Sequence, residues 1–167
     1  LVTAHYDAIG FRTRDWRNWA DPAPGGDDNA SGVAAVLEAA RLAAQDAPYP
    51  FDVQFVLFDG EELGLLGSHA LADSMAHEGA RILGVLNMDM IAYNARTDSL
   101  VVMTNRASSL LADYLLDTEA VAPQPDFQFV RSVNNLAYSD HSPFWDHGYP
   151  AILLIENVNI VQHNPNY

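Results

Sequence analysis

The stretch FDGEELGLLGS, Phe58 to Ser68, sets Glu61 and Glu62 side by side, flanked by glycines, where the apolar run FDVQFVLF ends. Three other segments carry related chemistry: His5 closes the run LVTAH, Asp28 lies in GGDDN, and Asp89 stands between two methionines in NMDM. The chain has no cysteine, so any metal it holds must rest on imidazole and carboxylate ligands. Singly, each segment has an ordinary reading. A histidine after a strand is commonly a hydrogen-bonded surface residue, GGDDN has the composition of a turn leading into a helix cap, and paired glutamates usually lie solvated. Asp89 resists that reading, because a carboxylate within an apolar run needs a partner. The coincidence of four such segments favours a metal site.

A site of this kind needs elements that bring distant segments together. LVTAH reads as a short buried strand ending at His5, and the polar residues from Asp7 to Gly26 as a long loop. SGVAAVLEAARLAAQ has helical period, with Asn29 or Ser31 as its N-cap and Pro48 and Pro50 beyond its end. FDVQFVLF reads as a strand, LGLLGSHALADSMAHEG as a helix closed by Gly79, RILGVLNMDMI and SLVVM as strands, SSLLADYLLDTEA as a helix and YPAILLIE as a last strand. Strands written as continuous apolar runs and alternating with helices imply an α/β fold, its sheet covered on both faces by helices. In such sheets chemistry collects at the carboxyl ends of the strands, which is where His5, Glu61, Glu62 and Asp89 fall.

Bulk properties narrow the function. At 167 residues and 49% apolar the chain suits one domain, and no linker-like tract divides it. A net charge of −14 would repel phosphate backbones and anionic membranes, so nucleic acid is not an expected partner. No apolar stretch reaches the roughly 18 residues of a membrane span. The opening LVTAHYD lacks the charged start of a signal peptide, and a chain that begins without Met inside an apolar run reads as part of something longer.

The motifs HYD, GGDDNASG, FDGEELGLLGS, NMDMI and YSDHSPFWDHGYPAILLIE resemble, in order and spacing, the co-catalytic zinc exopeptidases of metallopeptidase family 28. That group includes secreted bacterial leucine-type aminopeptidases and glutamate carboxypeptidase II. The resemblance runs from His5 almost to the end of the chain. It implies a three-layer α/β/α sandwich with a mixed, mostly parallel sheet, and two zinc ions. By it, His5 and Asp89 hold one zinc, Glu62 holds the other, and Asp28 bridges them. Asp28 is preferred to Asp27 because the family's bridging aspartate stands three residues before the Ser-Gly pair, here Ser31 and Gly32. The peptide bond from that aspartate to the next residue, Asn29, is often cis in the family.

Elementary chemistry agrees with these roles. Two close dications need a bridging carboxylate, and they share a water whose pKa falls toward about 7. A base must stand near that water without ligating metal, and adjacent residues at a strand end point different ways. With Glu62 the ligand that the resemblance implies, Glu61 is left as the base that passes a proton to the leaving amine. Asp7, two residues after His5, would hydrogen-bond the imidazole and fix its tautomer. SDH, Ser139 to His141, matches a family segment near the substrate pocket, although Ser139 or Asp140 would equally serve as a helix N-cap. His69, His77 and His147 match no motif and are expected on the surface.

The second zinc still needs a histidine. In the family that ligand follows an Asn-Pro-x-x stretch, here Asn164 to Tyr167, so it is expected immediately beyond Tyr167 and is not His163. Tyr167 would then stand where its hydroxyl polarises the scissile carbonyl. The resemblance implies a peptide substrate with a free N-terminus and a secreted or periplasmic setting. Two competitors stand beside this. Glutaminyl cyclases share the DGEE segment but usually carry an insertion before the following Gly-Ser, where LGLL joins Glu62 to Gly67 directly here. Non-catalytic relatives keep the fold but have lost ligands that this chain retains.

Overall fold

The computed structural model describes residues 1–10, 17, 21–46, 48–93, 98–121 and 127–156. Its elements run β1 (Val2–His5), α1 (Ala30–Asp46), β2 (Phe55–Phe58), α2 (Leu66–His77), β3 (Val85–Met88), β4 (Asp98–Thr104), α3 (Ser109–Val121), β5 (Phe127–Val133), α4 (Ser142–Asp146) and β6 (Ala151–Glu156). One six-stranded sheet has the order β2-β1-β3-β6-β4-β5. β2, β1, β3 and β6 are mutually parallel, and β4 with β5 forms a second parallel pair that joins β6 antiparallel. The sheet is therefore mixed and mostly parallel, as the family resemblance implies.

β6 explains why its apolar run is unbroken. All six of its residues are buried, and with side chains alternating across the sheet each face needs its own apolar set. Ile152 and Leu154 join Ala4, Val36, Met88, Val102 and Ala112 under α1 and α3. Ala151 joins Phe58, Ala72, Val85 and Phe144 under α2 and α4 on the other face. Burying a side chain such as Ile152 contributes roughly 1.5–3 kcal/mol.

The structure adds two elements to the sequence reading and trims others. β5 is an edge strand, FQFVRSV, with no buried residue, which is why its pattern lacks an apolar run. α4 is a single short turn of helix after the SDH segment. Its N-cap position belongs to His141, not to Ser139 or Asp140, and the Ser139 hydroxyl is turned inward instead. β3 stops at Met88, and Met90 beyond it takes a left-handed conformation (φ 55°) that departs from extended strand geometry, although Asp89 and Met90 still bond β6 through their main chains. α1 begins at Ala30 with Asn29 as its cap: Asn29 Oδ1 accepts the Gly32 amide at 3.0 Å.

Candidate active site

Because β2, β1 and β3 are parallel neighbours, their carboxyl ends share one edge. His5 is the last residue of β1 and is 1% exposed. Asp89 follows β3, and the turn after β2 carries Glu61 and Glu62 beyond Gly60, whose φ of 72° suits glycine. Asp28 lies directly before α1, and its bond to Asn29 is cis. The His5 Nε2 atom stands 3.2 Å from Asp28 Oδ1 and 3.2 Å from Asp89 Oδ1. One ligand atom from each of the three lies within 4.8 Å of the others, the geometry of a metal-binding cluster.

Glu62 lies outside that cluster but beside it. Its Oε1 accepts the Ile9 amide at 3.2 Å, and the charge of Asp28 helps to raise its pKa. Asp7 takes a different part from the one expected of its side chain. Its carboxylate accepts the amides of Glu61 and Glu62, each at 3.1 Å, and stands 3.4 Å from His5 Nδ1. That ring nitrogen is hydrogen-bonded to the Asp7 main-chain carbonyl, at 3.1 Å. One aspartate thereby ties the imidazole to the glutamate turn. Asp27 faces elsewhere, its Oδ1 accepting the Ala92 amide. Tyr167 and His163 lie outside the described residues.

The electrostatics are those of crowded carboxylates. Burial lifts Glu61 to about 8, aided by the charge of Asp89, and lifts Glu62 to about 7. Burial also raises Asp28, with His5 opposing. Desolvation pulls His5 down, yet its hydrogen bonds to Asp28 and Asp89 and the surrounding negative charge overcome that and carry it to about 12. One imidazole cannot balance this donor set, whereas a divalent cation would. The residues present fit a site for zinc, which takes His nitrogen and carboxylate oxygen.

Sequence reasoning missed a hydrogen-bonded chain behind the cluster. The Thr3 hydroxyl donates to Asn87 Oδ1 (2.7 Å), Asn87 Nδ2 donates to Ser139 Oγ (2.9 Å), and Ser139 Oγ donates to Asp89 Oδ2 (2.7 Å). Thr3, Asn87 and Ser139 are fully buried. A signal existed: Thr3 is two residues before His5 and Asn87 two before Asp89, so each shares a sheet face with a cluster residue. Asp140, noted in the SDH segment, was not expected to be buried. It is fully buried, and burial lifts it to about 6, only partly offset by the nearby Ser68 hydroxyl, which is itself bonded to Leu65 O.

Known proteins share both sequence and architecture with this chain. Leucine aminopeptidase 1 of Ajellomyces capsulatus (strain NAm1 / WU24) is 31% identical over 168 residues, covering 94% of this chain and 42% of the relative. This chain thus spans less than half the length of the curated relatives it matches. The zinc aminopeptidase BSAP of Bacillus subtilis is 26% identical with a TM-score of 0.73, covering 99% of this chain and 38% of that one. The LapA aminopeptidase of Legionella pneumophila shares the fold, with a TM-score of 0.76 at 24% identity, over 98% of this chain and 42% of that one. A sequence profile that runs through every segment of the cluster, from residue 1 to residue 166, completes the comparison: the chain belongs to peptidase family M28.

Proposed function

We propose that the protein is a zinc-dependent aminopeptidase that binds two zinc ions and releases N-terminal residues from peptides. The observation that carries this reading is the buried cluster of His5, Asp28 and Asp89 at the strand ends, in a chain of this family. In it His5 and Asp89 would hold one ion, Glu62 would hold the other, and Asp28 would serve both. Bound there, zinc supplies Lewis acidity and lowers the pKa of water toward about 7.

The protein's own residues then move the proton. Glu61 would accept it from the attacking water and return it to the leaving amine nitrogen, a role suited to a half-buried carboxylate in the turn after β2, beside the cluster. Asp7 holds the glutamate turn and the imidazole in one orientation, and Ser139 fixes the far oxygen of Asp89. An N-terminal ammonium complements the acidic site, which favours a substrate with a free N-terminus. Tyr167 is assigned to the scissile carbonyl, and export from the cytoplasm is the proposed setting.

The test is metal depletion and restoration on a panel of aminoacyl anilides, their N-acetylated forms and a glutaminyl peptide. Zinc is expected to restore hydrolysis of the free-amine substrates alone and to saturate at two equivalents. Hydrolysis that ignores depletion, or restored cyclisation of the glutaminyl peptide without hydrolysis, would overturn the reading.

A further inference from the structure

Asn29 follows Asp28 directly, is 1% exposed, and spends its carboxamide on three partners. Its Nδ2 donates to Met88 O at 2.9 Å, and its Oδ1 accepts the Met90 amide at 3.3 Å and the Gly32 amide at 3.0 Å. The last of these is the helix cap. The first two bracket Asp89, binding the main chain on either side of it. We infer that Asn29 is a positioning residue for the metal cluster: its side chain fastens the backbone that carries Asp28 to the backbone that carries Asp89, and so fixes the separation of the two carboxylates. This rests on the zinc reading above.

Three features separate this role from capping alone. A cap needs only an acceptor, which aspartate, serine or threonine would supply equally. Bracketing Asp89 needs a donor on one side and an acceptor on the other, and among side chains of this size only a carboxamide has both in one plane. The approach is also too close for another residue in the first turn of α1. A Cβ at Gly32 would meet Asn29 Oδ1 at 2.3 Å and Met88 O at 2.5 Å, so glycine there is what lets α1 and β3 close upon Asn29. Finally, the two carboxylates so joined reach the same atom, His5 Nε2, at the same 3.2 Å.

Ser31 provides the internal control. Its hydroxyl donates to Asp27 O at 2.7 Å and accepts the Ile91 amide at 3.0 Å, joining the same two segments one step further from Asp89. The experiment measures zinc affinity by competition with a chromophoric chelator, the visible spectrum of the cobalt(II)-loaded protein, and thermal midpoints without metal. It compares the natural chain with Asn29→Asp, Asn29→Ala and Ser31→Ala. Asn29→Asp keeps the size and the cap but loses the donor to Met88 O, so it remains informative if the alanine variant does not fold. Both Asn29 variants are expected to lose about tenfold or more in affinity, the range for residues that orient metal ligands, and to alter the cobalt spectrum. Ser31→Ala is expected to lower the thermal midpoint with little change in either. Natural affinity and spectrum in Asn29→Asp, or losses that merely follow the thermal midpoints across all variants, would overturn the inference while leaving the zinc reading intact. Absence of zinc binding by the natural chain would overturn both.

Discussion

Two buried polar regions meet at Asp89 and differ in how they are satisfied. On one side Thr3, Asn87 and Ser139 form a closed chain in which each donor finds an acceptor. On the other, Glu61 is lifted well above the usual carboxylate range, and both oxygens of Asp140 lack a hydrogen-bond partner of good geometry among the described residues. Glu156, at the end of β6, is alike: burial and then the charge and hydrogen bond of Asp27 lift it to about 8. The first region is built to hold a shape, since paired polar groups fix geometry at little net cost. The second keeps carboxyl groups out of water, which favours their neutral form and makes ionising them costly, an arrangement that collects at functional sites.

The largest effect is expected from Glu61→Gln. It keeps the size of the side chain and removes the base, so kcat should fall by about 10² to 10⁴ with zinc content unchanged by elemental analysis. Glu62→Gln should instead reduce zinc occupancy, and the reverse pattern would exchange the two roles. Next comes Ser139→Ala, which breaks the satisfied region by leaving Asn87 Nδ2 and Asp89 Oδ2 unpaired. Denaturant unfolding should show a loss of about 1–3 kcal/mol.

Glu156→Gln probes the strained region away from the cluster. A carboxyl whose folded pKa lies near 8 against an ordinary 4.5 contributes stability that is full below about pH 4.5 and declines as pH rises through 8. Glutamine keeps a donor toward Asp27 without ionising. The variant should therefore melt a few degrees above the natural protein at pH 8.5 and level with it at pH 4.5; an equal shift at both pH values would contradict the assignment. The smallest effect is expected from His147→Ala. Its Nε2 lies only 2.7 Å from Asp73 Oδ1, closer than His5 to either partner, but the side chains are 31% and 68% exposed. Removing it should change stability by no more than about 0.5–1 kcal/mol. Burial, not distance, separates this pair from His5 and its carboxylates.

Much of this was legible in the sequence because the informative residues interrupt strong patterns. A strand-ending histidine, an aspartate within an apolar run and paired glutamates after FVLF could be placed on one edge from the alternation of strands and helices alone. The sheet covered on both faces by helices was equally accessible from its continuous apolar runs, whereas its mixed strand direction came only with the family resemblance. β5 was not accessible, since an edge strand covered on little of its surface has no reason to be apolar. The second contact of Asp7, with the glutamate amides, was hidden for another reason: it joins residues 54 and 55 positions apart through main-chain donors that every residue possesses. The Asn29 bracket was visible only as a helix cap, because its other partners lie 59 and 61 residues away.

β6 has a consequence for how the chain is made. It lies between β3 and β4, and β3 and β4 do not pair with each other. During vectorial synthesis the β2-β1-β3 group and the β4-β5 pair would therefore emerge as two half-sheets, each with an open edge, before the strand that joins them exists. Open edges of this kind invite pairing with other chains. Asp89 itself is anchored to the joining strand through its amide and Leu154 O at 3.0 Å. The residues of the metal cluster all belong to the first half-sheet, so they can meet early, and insertion of β6 then adds the main-chain anchor that fixes Asp89 among them.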